Sequence, residues 1–245
     1  MWRRFGQMDG GGLYRQGGVM SERPSIVVLS GRGRHEDPWH DHAATSHALA
    51  NVLAPVGDVV VRSTLPGVFD LDGVGLLVLN LGRPVPGYVE AQIDGPPEGW
   101  ERQVDGLVGW ARDGGSVLAV HQTALAVPGS DAFGEVLGGR WVEGVSGHPE
   151  IGAMRLTLAS GTHPVTDRLG GVDAFDERYC GLRVAPTSQV LGWVHDDDGE
   201  PHPALWTTQA HGGRTVYSAL GHDARSYESP SHQELLVRAV RWLVA

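Results

Sequence analysis

The sequence predicts an α/β protein whose mostly parallel β-sheet carries helices on both faces and continues into an antiparallel extension. Three continuous apolar runs indicate strands that are buried on both faces, namely Ile26–Ser30, Gly75–Asn80 and Ser116–Val120. Amphipathic stretches separate these runs, as expected for parallel strands joined by crossover helices. In the second half several short predicted strands follow one another without helices between them, which favours antiparallel pairing.

The first half of the chain supplies helices between its strands. Asp37 is predicted to cap a helix that begins at Pro38 and ends near residue 55, because proline is favoured at the first helical position. A second strand is predicted at Asp58–Arg62, and the Pro- and Gly-rich residues 83–97 predict a loop. The next helix is indicated by apolar side chains at helical spacing, which are Trp100, Val104, Leu107, Val108 and Ala111.

The second half has a less regular pattern. A short helix is predicted at Asp131–Leu137, and a terminal helix is predicted to follow Ser229 and Pro230. Extended segments are predicted at Arg140–Val145, Ala153–Leu158, Ser188–Val194 and Arg214–Ala219. No linker or internal repeat divides the chain, so we expect one domain over residues 20–245, preceded by a glycine-rich, disordered extension over residues 1–19.

Charge and composition exclude several classes of partner. The formal net charge of −10 argues against nucleic acid, because binding to phosphates needs a basic face. No apolar run approaches the ~20 residues of a membrane-spanning helix. Cys180 is the single cysteine, which excludes an internal disulfide framework and makes a reducing cytoplasm the expected location.

Three of the twelve histidines follow predicted strands of the parallel type. His35 follows the first strand, His121 follows Ser116–Val120, and His222 follows the strand that ends near residue 219. The carboxyl ends of parallel strands meet at one edge of a sheet, where open α/β folds bind their ligands. Histidine there offers proton transfer near neutral pH or metal ligation, although each ring alone could equally be a structural hydrogen-bonding group. We expect these three side chains to line one cleft.

His121 lies where a strand turns sharply into the following segment. Ala119 and Thr123 flank it two residues away on either side, and small residues there permit the tight turn known as a nucleophile elbow. Such a turn lifts its central side chain into the cleft above the sheet. Serine or cysteine at this point would be a nucleophile, whereas this chain has an imidazole.

The spacing of the histidines gives no simple metal motif. His40 and His47 are seven residues apart, or ~10 Å along a helix, so they cannot easily share one ion. His40 and His42 could share one only in an extended segment, and the chain has no Cys-x-x-Cys pair. An open alternative is a metal held by side chains that are distant in the sequence, with His35, His121, Glu177 and His222 as its ligands.

Several short segments together resemble the ThuA-like (trehalose-utilisation) family, which has a flavodoxin-like, class I glutamine amidotransferase-like fold. Their order and spacing cover most of the chain from Ile26 onward, although the family often has Gly-Leu where Ala119-Val120 precedes the histidine. The segments are Arg34-His35-Glu36, Gly114-Gly115, Ala119-Val120-His121, Leu137-Gly138-Gly139-Arg140-Trp141, Ser146-Gly147-His148-Pro149, His163-Pro164-Val165-Thr166, Asp176-Glu177-Arg178-Tyr179 and Leu220-Gly221-His222-Asp223.

The resemblance implies that this chain does not hydrolyse glutamine. Class I glutamine amidotransferases hold a cysteine at the elbow, and a histidine after a later strand activates it, with a glutamate two residues further on. In this chain the elbow holds His121, and Ala224 lies two residues beyond His222. An imidazole cannot replace the thiolate as the acyl acceptor of this triad, and Cys180 follows no elbow pattern.

The resemblance also implies carbohydrate metabolism, in which the family often occurs alongside sugar oxidoreductases that make keto-sugars. Two classes of function follow. In the first the protein is a sugar or keto-sugar lyase, isomerase or hydrolase, in which His121 and His222 transfer protons and Glu177 orients one of them or contacts hydroxyls. In the second it binds a sugar or a partner enzyme without chemistry of its own. Turnover of keto-disaccharides would separate the two classes.

Other side chains are candidates for binding the sugar. His35 and His148 can contact hydroxyls, and Trp39 and Tyr179 can stack on a sugar face, whereas core packing is the expected role of Trp141. No cofactor is assigned, and a divalent metal remains an alternative. The expected partners are a small-molecule sugar, a sugar oxidoreductase and, in a homo-oligomer, further copies of the chain.

Overall fold

A nine-stranded sheet organises the part of the chain that the computed structural model describes, residues 23–64, 71–85, 97–161 and 163–245. Its strands are β1 (Ser25–Ser30), β2 (Asp58–Ser63), β3 (Leu76–Asn80), β4 (Val117–Val120), β6 (Gly152–Leu158), β7 (Val172–Asp176), β9 (Gln189–His195), β10 (Pro201–Thr208) and β11 (Thr215–Ser218). Two short strands, β5 (Gly139–Arg140) and β8 (Arg183–Val184), pair separately.

The helices are α1 (His42–Leu53), α2 (Pro97–Arg112), α3 (Asp131–Leu137) and α4 (Pro230–Leu243). Three short 3₁₀ turns, at Gly33–His35, His121–Leu125 and Ala224–Glu228, follow β1, β4 and β11. The first helix packs against β1, β2, β3 and α4, whereas α2 and α3 pack against each other. None of the described helices is long and apolar enough to cross a membrane.

The order of the strands divides the sheet into two halves. It runs β2-β1-β3-β4-β11-β10-β9-β6-β7. The first five strands are parallel and have the 2-1-3-4-5 order of flavodoxin-like folds, whereas every pair from β11 to β7 is antiparallel. The predicted α/β fold with an antiparallel extension is therefore confirmed, and Ser116–Val120 corresponds to the central strand β4.

Burial explains why these strands lie at the centre. Every residue of β3, β4 and β11 is buried, as is all of β1 after its first residue, so both faces of the parallel half are covered. Only the edge strand β2 is largely exposed. Where the two halves meet, Trp206 of β10 stacks on Tyr217 of β11 with ring centroids 4.2 Å apart. This rigid centre positions the loops that leave its carboxyl edge.

Two local predictions are wrong. The first helix begins at His42, not at Pro38, because the Asp41 side chain caps it by accepting the N–H of Ala44, while Asp37 accepts N–H groups in the preceding loop. The segment predicted as extended over Arg140–Val145 leaves β5 after one residue and turns, with the N–H of Val145 donating to the carbonyl of Val142. Strands β7, β8 and β10 were not predicted. The extension expected over residues 1–19 lies outside the described residues.

Candidate functional site

Four side chains converge at the carboxyl edge of the parallel strands. His40 lies in the loop after β1, His121 directly after β4, and His222 shortly after β11. Glu177 comes from the antiparallel half, directly after β7. One nitrogen or oxygen atom of each side chain lies within 4.8 Å of the corresponding atoms of the others. We call these four residues the histidine–glutamate cluster.

The backbone of His121 has the strained conformation of an elbow. Its φ of 47° lies in the left-handed region, which costs a residue with a side chain ~1 kcal/mol or more. The Tyr217 hydroxyl donates to the His121 carbonyl at 2.8 Å and stabilises the turn. Ring atom Nδ1 donates to the Ala219 carbonyl at 2.8 Å, so that Nε2 points into the cluster. This is the sharp turn that the small neighbouring residues predict.

A carboxylate holds His40 in place. Nδ1 of His40 lies 2.8 Å from Oδ1 and 3.1 Å from Oδ2 of Asp37. Burial alone would raise the pKa of Asp37, but the hydrogen bond and charge of His40 outweigh it and lower that pKa to about 2. Asp37 is therefore an acceptor only, and Nε2 of His40 faces Nε2 of His121 at 3.1 Å.

Glu177 and His222 complete the cluster. Nδ1 of His222 lies 3.1 Å from Nε2 of His40 and 3.3 Å from Oε2 of Glu177, and the same oxygen lies 3.4 Å from Nε2 of His121. Burial alone would raise the pKa of Glu177, but the neighbouring imidazoles hold it well below its usual range. Burial also opposes the charged form of His222, yet Glu177 raises the pKa of that ring.

Asp176 positions the two loops that carry Glu177 and His222. Its buried carboxylate accepts the backbone N–H groups of Glu177 at 2.8 Å, Gly221 at 2.7 Å and His222 at 3.2 Å. The end of β7 and the loop after β11 are thereby fixed to each other. Sequence reasoning treated Asp176 only as part of a family segment and assigned it no role.

Tyr179 and His148 form the outer wall of the cluster. The Tyr179 hydroxyl lies 3.0 Å from Nε2 of His121, and burial raises its pKa well above the usual value, so the hydroxyl stays protonated. The His148 ring stacks on Tyr179 at 5.6 Å, and its Nδ1 lies 3.5 Å from Oε1 of Glu177. Trp141 meets Tyr179 edge-on at 5.0 Å, and its partly buried ring packs against the core.

His35, which was expected beside His121 and His222, lies outside the cluster. Its ring packs edge-to-face on Trp100 at 5.0 Å, and its carbonyl accepts the N–H of Gly82 at 2.7 Å. Burial lowers the pKa of His35 to about 4. His40 takes the place that sequence reasoning assigned to His35. The available signal was the acidic residue three positions before His40, because a carboxylate commonly orients a functional imidazole.

Trp39 lies on a polar cavity next to the cluster. The cavity has a volume of ≈ 620 Å³, and its lining includes Asp37, Trp39 and His40. The Trp39 side chain is 58% exposed, which is high for such a large apolar group, and the Arg83 guanidinium lies 5.8 Å from its ring centre. His40 therefore faces the cluster on one side and borders the cavity on the other.

Cys180 has none of the features of a catalytic thiol. It follows Tyr179 in a bridge that pairs with Gly147, whereas the residue at the elbow is His121. Its Sγ donates to the Arg178 carbonyl at 3.3 Å, and burial raises its pKa. A thiol that is held protonated is a poor nucleophile.

Comparison with known proteins identifies the family. The family model described as ThuA, trehalose utilisation, matches residues 94–243. The chain belongs to the ThuA family. The match includes His121, Glu177 and His222, whereas His40 lies before it. No curated protein matches this ThuA family member.

Solved structures have the same fold. A ThuA-like protein from Parabacteroides merdae is 18% identical, with 91% of each chain covered and a TM-score of 0.74. A ThuA-like protein from Bacteroides uniformis is 16% identical, with 91% of this chain and 93% of that chain covered and a TM-score of 0.65. A β-galactosidase from Bacillus circulans is 13% identical and contains the fold in 30% of its chain, with 90% of this chain covered and a TM-score of 0.57.

Proposed function

We propose that this ThuA family member is an enzyme that acts on a sugar or keto-sugar by proton transfer at the histidine–glutamate cluster, without glutaminase activity. The observation that carries the proposal is the convergence of three imidazoles and one carboxylate at the elbow position, beside a polar cavity. Clustered, partly buried titratable groups of this kind are typical of catalytic sites. The family's description supports a substrate from carbohydrate metabolism.

The cavity beside His40 is the proposed place of the sugar. Its volume of ≈ 620 Å³ falls within the ~300–1,000 Å³ of small-molecule sites. The exposed ring of Trp39 offers an apolar face for the C–H groups of a pyranose, while Asp37 and the neighbouring polar groups can bind its hydroxyls. A disaccharide with one ring in this cavity would extend past His40, so that the reactive carbon of its second ring lies over the cluster and beside His148.

His148 is the residue that we assign to proton transfer. Its side chain is 38% exposed and can reach a substrate, whereas the His121 side chain is 2% exposed. Nδ1 of His148 lies near Oε1 of Glu177 and the Pro149 carbonyl, and no described residue bonds to Nε2. That nitrogen can therefore take a proton. His121, His222 and Glu177 form the catalytic centre against which the substrate's carbonyl is placed.

The reaction class that suits this arrangement is removal of a proton next to a carbonyl. The C–H bond breaks, its proton moves to Nε2 of His148, and the electron pair forms an enolate. The protonated hydroxyl of Tyr179 can donate to the developing oxyanion. In a keto-glycoside the enolate electrons can then expel the glycosidic oxygen, which leaves with the bonding pair and takes up a proton.

Turnover of a panel of keto-disaccharides and their parent sugars tests the proposal. We expect product from at least one keto-sugar, with the rate lowered ~10²–10⁴-fold by His148→Ala or His222→Ala. His47→Ala, on the exposed side of α1, should keep the full rate. Binding of these sugars without turnover would instead indicate the non-catalytic class, and neither binding nor turnover would refute the proposal.

A further inference from the structure

We propose that the histidine–glutamate cluster is a binding site for one divalent first-row transition-metal ion, such as Zn²⁺, with His40, His121, Glu177 and His222 as its ligands. Its catalytic meaning, polarisation of a substrate carbonyl, rests on the proposed function, but metal binding can be measured without any substrate.

The four ligand atoms lie close enough together to share one ion. Going around the cluster, His40 Nε2 to His121 Nε2 is 3.1 Å, His121 Nε2 to Glu177 Oε2 is 3.4 Å, Glu177 Oε2 to His222 Nδ1 is 3.3 Å, and His222 Nδ1 to His40 Nε2 is 3.1 Å. With edges of this length, the corners of a regular tetrahedron lie about 2.0 Å from its centre and those of a flat square about 2.3 Å. Bonds from Zn²⁺ to imidazole nitrogen or carboxylate oxygen are ~2.0–2.2 Å long.

The lone pairs of His40 and His121 point towards each other. His121 Nδ1 faces the Ala219 carbonyl and His40 Nδ1 faces the Asp37 carboxylate, and both of these groups can only accept hydrogen bonds. Both neutral rings therefore carry hydrogen on Nδ1 and a lone pair on Nε2. Two lone pairs that face each other at 3.1 Å repel unless a cation lies between them.

The groups around the cluster are of the kind that commonly surrounds a metal site. Metal-bound histidines commonly donate their other N–H to a carboxylate or a backbone carbonyl, which fixes the tautomer. His40 has the first kind of partner in Asp37, and His121 has the second in Ala219. Oε2 of Glu177, on a side chain that is 10% exposed, has no hydrogen-bond partner in the described part of the chain. A metal ion would satisfy this buried oxygen.

The donor set selects the class of metal. Three imidazole nitrogens and one carboxylate oxygen suit zinc, iron, cobalt or nickel, whereas Mg²⁺ and Ca²⁺ prefer oxygen ligands. The His121 side chain is 2% exposed, whereas those of His40, Glu177 and His222 are 8%, 10% and 15% exposed, so solvent or substrate reaches the cluster on the side away from His121. Tyr179 lies against His121 and would stand beside the ion.

The test measures metal binding to the full chain after removal of metal with a chelator. We expect one Zn²⁺ per chain by calorimetry and elemental analysis, and visible absorption bands when Co²⁺ replaces it. His40→Ala should weaken binding by at least ~100-fold, and Asp37→Asn, which keeps all four ligands, by ~10–100-fold. His47→Ala is the matched control, with the same substitution on an exposed histidine of α1, and should bind normally.

Three results would overturn the inference. One is that the wild-type chain binds less than one Zn²⁺. Another is that His40→Ala and Asp37→Asn both keep the wild-type affinity, and the last is that His47→Ala loses as much affinity as they do. The first would mean that protons alone hold the cluster together. Circular dichroism reports whether His40→Ala folds, and Asp37→Asn carries the test if it does not. Keto-sugar turnover by the metal-free chain would refute only the catalytic role of the metal, whereas metal binding without turnover would refute only the proposed function.

Discussion

The strained backbone at His121 allows a prediction about stability that is independent of the chemistry. His121→Ala and His121→Gly both remove the ring and its hydrogen bonds, so they differ by one methyl group and by the backbone preferences that it imposes. At an ordinary position glycine is less stable than alanine by ~0.5–1 kcal/mol, because its unfolded chain has more freedom. At a φ of 47° alanine carries a strain of ~1–2 kcal/mol that glycine does not have. We therefore expect His121→Gly to be the more stable variant, by roughly 1 kcal/mol.

Urea unfolding of the two variants measures this difference, provided that both transitions have the same dependence on denaturant. Ala43→Gly, at an exposed position of α1, gives the ordinary penalty for glycine in the same protein. The contradicting result would be that alanine is more stable than glycine at position 121 by the same free energy as at position 43. The backbone of the elbow would then not be strained.

Three further predictions concern pH, position and nucleophile. Burial lowers the pKa of His35 from 6.5 to about 4, so between these pH values the unfolded chain binds more protons than the folded chain. The free energy of unfolding should therefore fall by up to ~3 kcal/mol as the pH is lowered from 6.5 towards 4. His35→Phe should flatten this part of the curve of unfolding free energy against pH. Because Asp176 accepts three N–H groups, Asp176→Asn should leave at least one buried N–H unpaired. We expect the free energy of unfolding to fall by ~1–3 kcal/mol and zinc binding to weaken. Finally, glutamine should release no ammonia above background, because the thiol of Cys180 is protonated and the residue at the elbow is His121.

Each of these predictions has a control on the same chain. A pH dependence that is identical in wild type and His35→Phe would show that this ring does not titrate on unfolding. Asp173→Asn makes the same substitution at the exposed salt bridge with Arg155, where ~1 kcal/mol or less is expected, and an equal effect at both positions would contradict the role of Asp176. Ammonia release that disappears in Cys180→Ala would show that the thiol is a nucleophile.

The parallel half of the fold is predictable because burial on both faces imposes a continuous apolar run. The strands β1, β3 and β4 lie within one residue of their predicted limits for this reason. The antiparallel half has weaker signals. β7 combines apolar residues with Asp173 and Asp176, and β10 contains Pro201 and Pro203, so both lack the pattern of a central strand. Pairing between distant segments, which local composition does not record, determines these strands.

The site was predictable where a side chain directly follows a strand of the sheet. His121, His222 and Glu177 meet as expected, because strand ends bring them to one edge. His40 was missed because it lies in a loop, and its position depends on the bend that Asp37 makes by accepting the N–H groups of Trp39 and His40. His35 follows β1 more closely, but its ring is turned towards Trp100.

The division of the sheet has a consequence for the order in which the site can form. The parallel half contributes the histidines at 40, 121 and 222, whereas the carboxylate at 177 follows β7, the strand at the far edge of the antiparallel half. Asp176 joins the two by accepting N–H groups from the loop after β11. A folding intermediate with only the parallel half in place would therefore have three imidazoles and no carboxylate. Likewise, local opening of the edge strand in the native protein would remove the negative charge from the cluster and release the loop of His222 from Asp176, while His40 and His121 stayed in place.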